Sequence, residues 1–509
     1  MTTATMRVLP LPDASRLLSM PEKRWLALGG RLRQIGVTPD AVAEIEAVAV
    51  ALPDAARAAL RHWHLRRSGA PAATAMRLLV FNDAVSRQDA SRALGRDLVT
   101  ELERIGLVGT RRDGQLSSPF NINLVNDLYV LCDDLTHGGE AVMGAGHTTS
   151  VLAQAAYPRQ RADRVLDLGC GAGTIGLLFA EQAERCVCTD VNSRALVLTQ
   201  VNGAINGIAN LDIREGDLFE PVQSEAFDVI ASQPPFVARP SGVGTATFLH
   251  GGERGDELAL RLLAALPDRL APDGRACLLV DWPLVDDEPL ERRVRAALES
   301  ERLDVLLIEL PRPDLDDYCA RYASAQHPTY GPAFSKAAVG LREHLERLGV
   351  RALQPTVTVI GRAVGRDGFT VRLDASTSRA ADVTAERIDA LLATHDLLAR
   401  GEDALGDVRL RVAGTWATVE RPLGKAASSA RLRLSPSALV PELELSPDAV
   451  LLVSLIDEHP TVAVAAKAFA EQRGLPQGAA TDAIFIAGVR QALAQGLLEP
   501  WLTAARTVE

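Results

Sequence analysis

Val165-Leu166-Asp167-Leu168-Gly169-Cys170-Gly171-Ala172-Gly173-Thr174-Ile175-Gly176 is the stretch from which the rest of the chain can be read. A short apolar run closes on an acid. Three glycines follow at every second position, and then an apolar helical cadence (Ile175, Leu177, Leu178, Phe179). The order strand, glycine turn, helix is the opening of an α/β nucleotide-type site. Glycine there lets the backbone pass close to a ligand and adopt dihedrals that a Cβ forbids.

Two ligands fit this stretch. Gly171, Gly173 and Gly176 by themselves match the dinucleotide spacing G-x-G-x-x-G. The wider spelling, Asp167-x-Gly169-x-Gly171-x-Gly173 with the acid at the strand end, suits S-adenosylmethionine better. That molecule has no pyrophosphate to place at a helix N-terminus, and its α-amino group wants a carboxylate nearby.

Moving outward, 509 residues suggest about three domains. A hydrophobic fraction of 47% with 23% charged residues is that of a soluble globular protein with a sizeable core. No signal-like N-terminus and no membrane-length apolar run is visible, so a cytoplasmic protein without membrane contact is expected. Six cysteines are scattered without a C-x-x-C pair, which reads as buried reduced thiols and no metal site. The net charge of −11 is uneven: residues 1–125 hold 17 Lys+Arg against 12 Asp+Glu, a surplus of +5, which leaves −16 for the remainder. A basic segment can favour an acidic or nucleic-acid partner, although it is more often a solvated surface.

Residues 1–70 alternate apolar clusters with Arg, Ala and Glu at helical spacing and read as a helical segment. Residues 71–125 read as a winged-helix-like module: three short helices, then a hairpin turning at Asp113-Gly114. Its last helix, Asp97 to Arg104, is net acidic and a poor match to phosphates. Capping of a substrate, or assembly into a homodimer, is therefore expected there rather than DNA reading. Residues 126–364 form the central domain, where strand and helix alternate. Strands are predicted at 165–168, 186–189, 211–214, 227–231, 276–280, 304–309 and 355–360, giving a seven-stranded, Rossmann-like, mostly parallel sheet. Residues 365–509 read as a C-terminal α+β accessory domain: a polar strand or turn at 365–375, short strands around Trp416, and a helical end whose cadence resembles residues 74–108.

Chemistry-bearing residues fall at successive strand ends. Asp190 closes the second strand, placed to accept both hydroxyls of an adenosine ribose. Asp217 and Leu218 follow the third, one to accept an adenine amino group and the other to pack on the ring. Upstream, Gly144-Ala145-Gly146-His147-Thr148-Thr149 is either a lining of the cofactor pocket through His147 or an ordinary helix N-cap.

The fourth strand ends Ser232-Gln233-Pro234-Pro235-Phe236. Together with Asp167–Gly173, this resembles the class I S-adenosylmethionine-dependent methyltransferases of the Asn-Pro-Pro-Tyr/Phe group. Those small-domain enzymes methylate planar or conjugated nitrogen, such as base amines or the glutamine amide of release factors and ribosomal proteins. The resemblance covers about residues 140–360. It implies that a polar side chain and the first proline's carbonyl accept the two N–H groups of the acceptor, while the aromatic residue stacks on it. Positioning matters more than acid–base strength, and no metal is needed.

Gln233 stands where the group has Asn. One extra methylene moves the acceptor oxygen by roughly a bond length, more than an ångström. Misplacement on that scale can cost on the order of 100-fold in rate. A small-molecule or peptide acceptor is therefore expected, with ribosomal RNA or a translation protein as one alternative and a nucleic-acid-binding regulator responsive to S-adenosylmethionine as another. The glycine-dotted stretch Val237–Asp256 suits a lid, and His250 within it could remove a proton.

Overall fold

The computed structural model describes residues 11–48, 50, 54–133, 140–243, 248–286, 288–327, 330–376, 382–413, 419–420, 430–432, 443–445 and 447–501. Its central sheet has eight strands: β1 (Ala162–Leu168), β2 (Ala183–Asp190), β3 (Leu211–Glu215), β4 (Phe227–Ser232), β5 (Leu270–Leu284), β6 (Leu303–Glu309), β7 (Ala352–Arg362) and β8 (Thr370–Asp374). They lie in the order β3-β2-β1-β4-β5-β7-β6-β8. β1 to β5 run parallel, β7 is antiparallel between β5 and β6, and β8 lies parallel to β6. Interior strands read as apolar runs because helices cover both faces; in Leu-Asp-Val-Leu-Leu-Ile-Glu of β6, all but the final Glu309 are buried.

The connections reverse direction between β1 and β4, which opens a crevice at the carboxyl ends of those two strands. Ser232 fastens this point by donating from its hydroxyl to the Leu168 carbonyl at 2.8 Å. Three helices border it: α1 (His147–Ala156), α2 (Thr174–Phe179) and α3 (Ser193–Asn206).

The expected seven strands thus become eight, and the central sheet runs past the predicted boundary at residue 364. β8 is an edge strand with one neighbour and half-exposed faces. It therefore lacks the apolar run that marks the interior strands, and a polar strand or turn of the C-terminal domain was the natural reading.

In the N-terminal region, helices Pro71–Leu79, Arg87–Leu94 and Arg96–Arg104 precede an antiparallel pair, Gly109–Thr110 with Leu116–Ser117. Val85 bridges to Leu116. Ser86 caps the second helix by accepting from the Asp89 amide at 3.0 Å. Gly95, at φ +92°, ends that helix and starts the next. A second hairpin, Phe120–Val125 with Leu128–Asp133, leads toward the core.

This region packs on α3. Trp25, Leu28 and Leu32 share one apolar cluster with Leu198, Val201 and Ile205. Asn202 acts as an extra strand partner, accepting from the Leu131 amide at 2.7 Å and donating to the Leu131 carbonyl at 2.9 Å. Asn206 does the same for Tyr129 at 3.0 and 2.8 Å. Asp133, fully buried, is gripped by both arms of Arg194 at 2.5 and 2.7 Å.

The C-terminal region has its own apolar core around Val453, Ile456, Phe485 and Val489. Helices Pro447–Glu458, Val462–Arg473 and Ala479–Ala494 lead into strand Leu498–Pro500, which pairs with Leu410–Val412. Trp416 lies outside the described residues. Helix Ala385–Arg400 ties this region to the strand through Arg387, 3.0 Å from Glu499. All six cysteines are buried, and none is in a disulfide. Among the described residues no helix is long and apolar enough to cross a membrane, and no group of side chains could hold a metal ion.

Candidate functional site

The glycine turn after β1 is shaped from below. Gly169, Gly171 and Gly173 have φ of +74°, +54° and +76°, a region in which a side chain costs about 1–2 kcal/mol. The amides of Gly169 and Cys170 donate to the Thr189 carbonyl at 2.8 and 2.9 Å. The Gly171 amide donates to Asp190 Oδ2 at 2.9 Å, and the Asn192 amide to Oδ1 at 2.9 Å. From α3, Thr199 donates to the Gly171 carbonyl at 3.1 Å and Asn202 to the Ala172 carbonyl at 2.9 Å. Asp190 thus positions the loop. Burial raises its pKa above the ordinary carboxylate value.

Asp167 lies deeper, at 4% exposure. Its Oδ2 accepts from the Gly176 amide at 2.9 Å, at the start of α2. Burial pushes its pKa up to about 7, with the neighbouring Asp190 charge adding to the effect.

These groups border a cavity of about 300 Å³ at the β1/β4 switch point. Asp167, Gly169, Gly171, Asp190, Asp217 and Leu218 line it, and so do Gln233, Pro234 and Pro235. Leu218 holds φ +47°, unusual for a branched side chain, and this is one place where backbone strain meets the cavity. Asp217 is partly exposed and pairs with Arg261 at 2.7 Å.

Gln233 is half-buried, and its Nε2 donates to Thr148 Oγ1 at 2.9 Å. Thr148 lies in the first turn of α1 and also lines the cavity.

Four of the residues singled out in the sequence lie elsewhere. Gly173 turns behind the loop, where a Cβ would come within 2.6 Å of Thr199 Cγ2. His147 is exposed at the start of α1 and is not on the cavity wall; its neighbours Thr148 and Thr149 are. The helix start turns the histidine outward and the threonines inward.

Phe236 is 6% exposed and is not on the wall either. It meets Tyr322 edge-on, with ring centroids 6.1 Å apart. Tyr322, on helix α4 (Leu315–Gln326), donates to Asp281 Oδ2 at 3.2 Å. Burial pushes the Asp281 pKa up to about 6. His250 pairs with Val237 in a short parallel ladder, and its ring lies 3.4 Å from Gln326 Nε2. Burial and then the Arg239 charge lower its pKa, keeping it neutral at pH 7.

The glycine-dotted stretch packs on the proline shelf. A Cβ on Gly251 would collide with the carbonyl oxygens of Gly255 and Pro235. Residues 244–247 lie outside the described residues.

Sequence reasoning passed over Thr189, Asn192 and Phe248, which also line the cavity. The first two flank Asp190, and that adjacency was the available signal. Phe248 carried none, because its position depends on the path of the loop.

Residues 144–295, which hold most of this cavity, match the methyltransferase small domain family. S-adenosylmethionine is the methyl donor that goes with it. The chain is 35% identical over 123 residues to the ribosomal protein uL3 glutamine methyltransferase of Bordetella pertussis, covering 22% of this chain and 41% of that protein. It is 34% identical over 131 residues to the release factor glutamine methyltransferase of Xylella fastidiosa, 23% of this chain and 47% of the relative. It is 32% identical over 145 residues to the ribosomal RNA small subunit methyltransferase C of Alcanivorax borkumensis, 28% and 40% respectively. The chain therefore spans less than half the length of each of these three relatives.

The cavity fits the donor. Thr189 lines the cavity, and its buried hydroxyl has no hydrogen-bond partner among the described residues. The left-handed glycines leave the loop backbone open to close approach.

Proposed function

We propose that this chain is an S-adenosylmethionine-dependent N-methyltransferase acting on a component of the translation machinery, with a glutamine side-chain amide in a protein as the acceptor. The observation that carries the proposal is that Gln233, Pro234 and Pro235 line the same cavity as Asp190 and the glycine loop. The relatives' own substrates favour a macromolecular acceptor over the small molecule or peptide suggested by Gln233 alone.

The bound donor supplies an electrophilic methyl group on a sulfonium centre. Asp190 would accept the ribose hydroxyls, and Asp217 an adenine N–H beside Leu218. An amide nitrogen is a weak nucleophile because its lone pair is delocalised. Accepting its two N–H bonds on Gln233 Oε1 and the Pro234 carbonyl would hold it in one orientation and direct its lone pair toward the methyl group. With Phe236 behind the shelf, Phe248 is the aromatic face left on the cavity wall for stacking against the planar acceptor. His250, off the wall, has no role in this scheme. The N-terminal and C-terminal modules would select the acceptor.

A second reading, an exocyclic base amine of ribosomal RNA, draws on the basic residues 1–125 and on the RNA-directed relative. One experiment separates these readings. The protein is incubated with methyl-labelled S-adenosylmethionine and, in parallel, with unmethylated release factor, with salt-washed ribosomal subunits and with a low-mass extract fraction. Label on a glutamine of a translation protein is expected. Label on rRNA supports the second reading, label confined to the low-mass fraction restores the small-molecule one, and no label anywhere overturns methyl transfer.

A further inference from the structure

The departure from Asn at residue 233 raises a question that the geometry answers. A side chain one methylene longer has one more rotatable bond, and its planar amide can present either oxygen or NH2 to a ligand. Here the nitrogen end is committed. Nε2 donates to Thr148 Oγ1 at 2.9 Å, and no other hydrogen bond is made by Gln233 among the described residues.

Thr148 is itself held. It sits in the first turn of α1, whose start is closed by Thr149 Oγ1 accepting from the Gly146 amide at 3.3 Å. Gln233 follows β4, whose end is fastened to β1 through Ser232. The hydrogen bond therefore joins two anchored elements across the cavity wall.

We propose that Thr148 is a positioning residue for methyl transfer: by taking up the Gln233 amide nitrogen, it fixes Oε1 as the group offered to the acceptor. This inference rests on the proposed function. It also narrows the substrate class. With Nε2 turned to Thr148, Oε1 is the amide atom left to meet a ligand, which favours groups that donate N–H, such as carboxamides and exocyclic amines. It disfavours groups that need to receive a hydrogen bond, because these would face an unpaired oxygen. Fixing one end of the amide also recovers the orientation that the longer side chain would otherwise lose.

The test uses the full chain, the acceptor fraction that takes up label, and four variants: Thr148→Val, Thr148→Ser, Gln233→Ala and the Thr148→Val/Gln233→Ala double variant. Valine matches threonine in shape but cannot receive the hydrogen bond. Thr148→Val is expected to lower kcat about 10- to 100-fold, with S-adenosylmethionine affinity and thermal midpoint close to wild type. Thr148→Ser should transfer within a few-fold of wild type. In the Gln233→Ala background, Thr148→Val should add no further loss, because the residue acts only through Gln233.

Wild-type kcat in Thr148→Val, or an equal loss in both backgrounds, overturns the inference while leaving the proposed function standing. Failure of wild-type protein to label any fraction overturns the proposed function and removes the reaction that Thr148 would serve. A crystal structure of the S-adenosylhomocysteine complex gives a readout independent of turnover: Gln233 Nε2 away from Thr148 there also sinks the idea.

Discussion

Replacing Asp167 by asparagine should make the protein more stable at neutral pH and leave it unchanged in acid. The carboxyl group is 4% exposed, makes one hydrogen bond to the Gly176 amide and has no cationic partner among the described residues. Its pKa is raised from 3.8 to about 7 in the fold. A raised carboxylate pKa means the folded state favours the protonated form. Below about pH 4 both states are protonated and no penalty exists. As pH rises through the window from about 4 to 7, the unfolded chain releases its proton first, and stability falls. Above pH 7 the penalty is complete. Three pKa units correspond to an upper limit of about 4 kcal/mol, and relaxation of the site reduces this to on the order of 2–4 kcal/mol. Asparagine is neutral throughout and keeps an oxygen for the Gly176 amide.

At pH 8 the Asp167→Asn variant should therefore melt higher by roughly 4–16 °C, using about 2–4 °C per kcal/mol for a domain of this size. At pH 4.5, where at most about 1 kcal/mol of the penalty has developed, the gap should shrink to a few degrees or less. Scanning calorimetry over pH 4.5–8.5 measures this, with the transition that moves on adding S-adenosylhomocysteine marking the central domain. A difference between the two proteins that does not change with pH, or a variant less stable than wild type at pH 8, would refute the reasoning.

Three further outcomes follow from the same site. The affinity for S-adenosylmethionine should rise with pH through about 7, with proton release, because a cationic ligand favours the ionised forms of Asp167 and Asp190; titration calorimetry in buffers of different ionisation enthalpy counts the proton, and a pH-independent constant counts against it. Asp190→Asn should weaken S-adenosylmethionine binding by roughly 10- to 100-fold through the loss of charge-assisted hydrogen bonds, and unchanged affinity would remove Asp190 from the ribose site. Gly251→Ala should lower methyl transfer more than cofactor binding, because the added Cβ collides with the Pro235 carbonyl and shifts the shelf; equal loss of both would point to unfolding instead.

The central fold was legible because its signals are local. Val165–Leu168 and the three glycines declare strand and turn, and strand-end acids at 167 and 190 mark the cavity. What stayed hidden depended on neighbours distant in the chain. β8 is a strand only because β6 offers it an edge. Phe236 points away from the wall because Tyr322, 86 positions later, receives it. The bond between Gln233 and Thr148 spans 85 residues, and neither residue type announces it. His147 and Thr148 are adjacent in sequence, but the helix that begins there sends them to opposite sides, which spacing alone could not decide.

Helix α3 has a wider consequence. One of its faces buttresses the glycine turn through Thr199 and Asn202, and the other is clasped by Trp25, Leu28, Tyr129 and Asp133 of the preceding region. The domain built on the central sheet therefore has no clean seam at its leading edge. A recombinant fragment starting near residue 140 would expose the outer side of α3 and remove the Leu131 and Tyr129 backbone groups that Asn202 and Asn206 bond, leaving Asn202 its hold on the Ala172 carbonyl. Anything that docks on the leading helices presses, through that one shared rod, on the glycine turn.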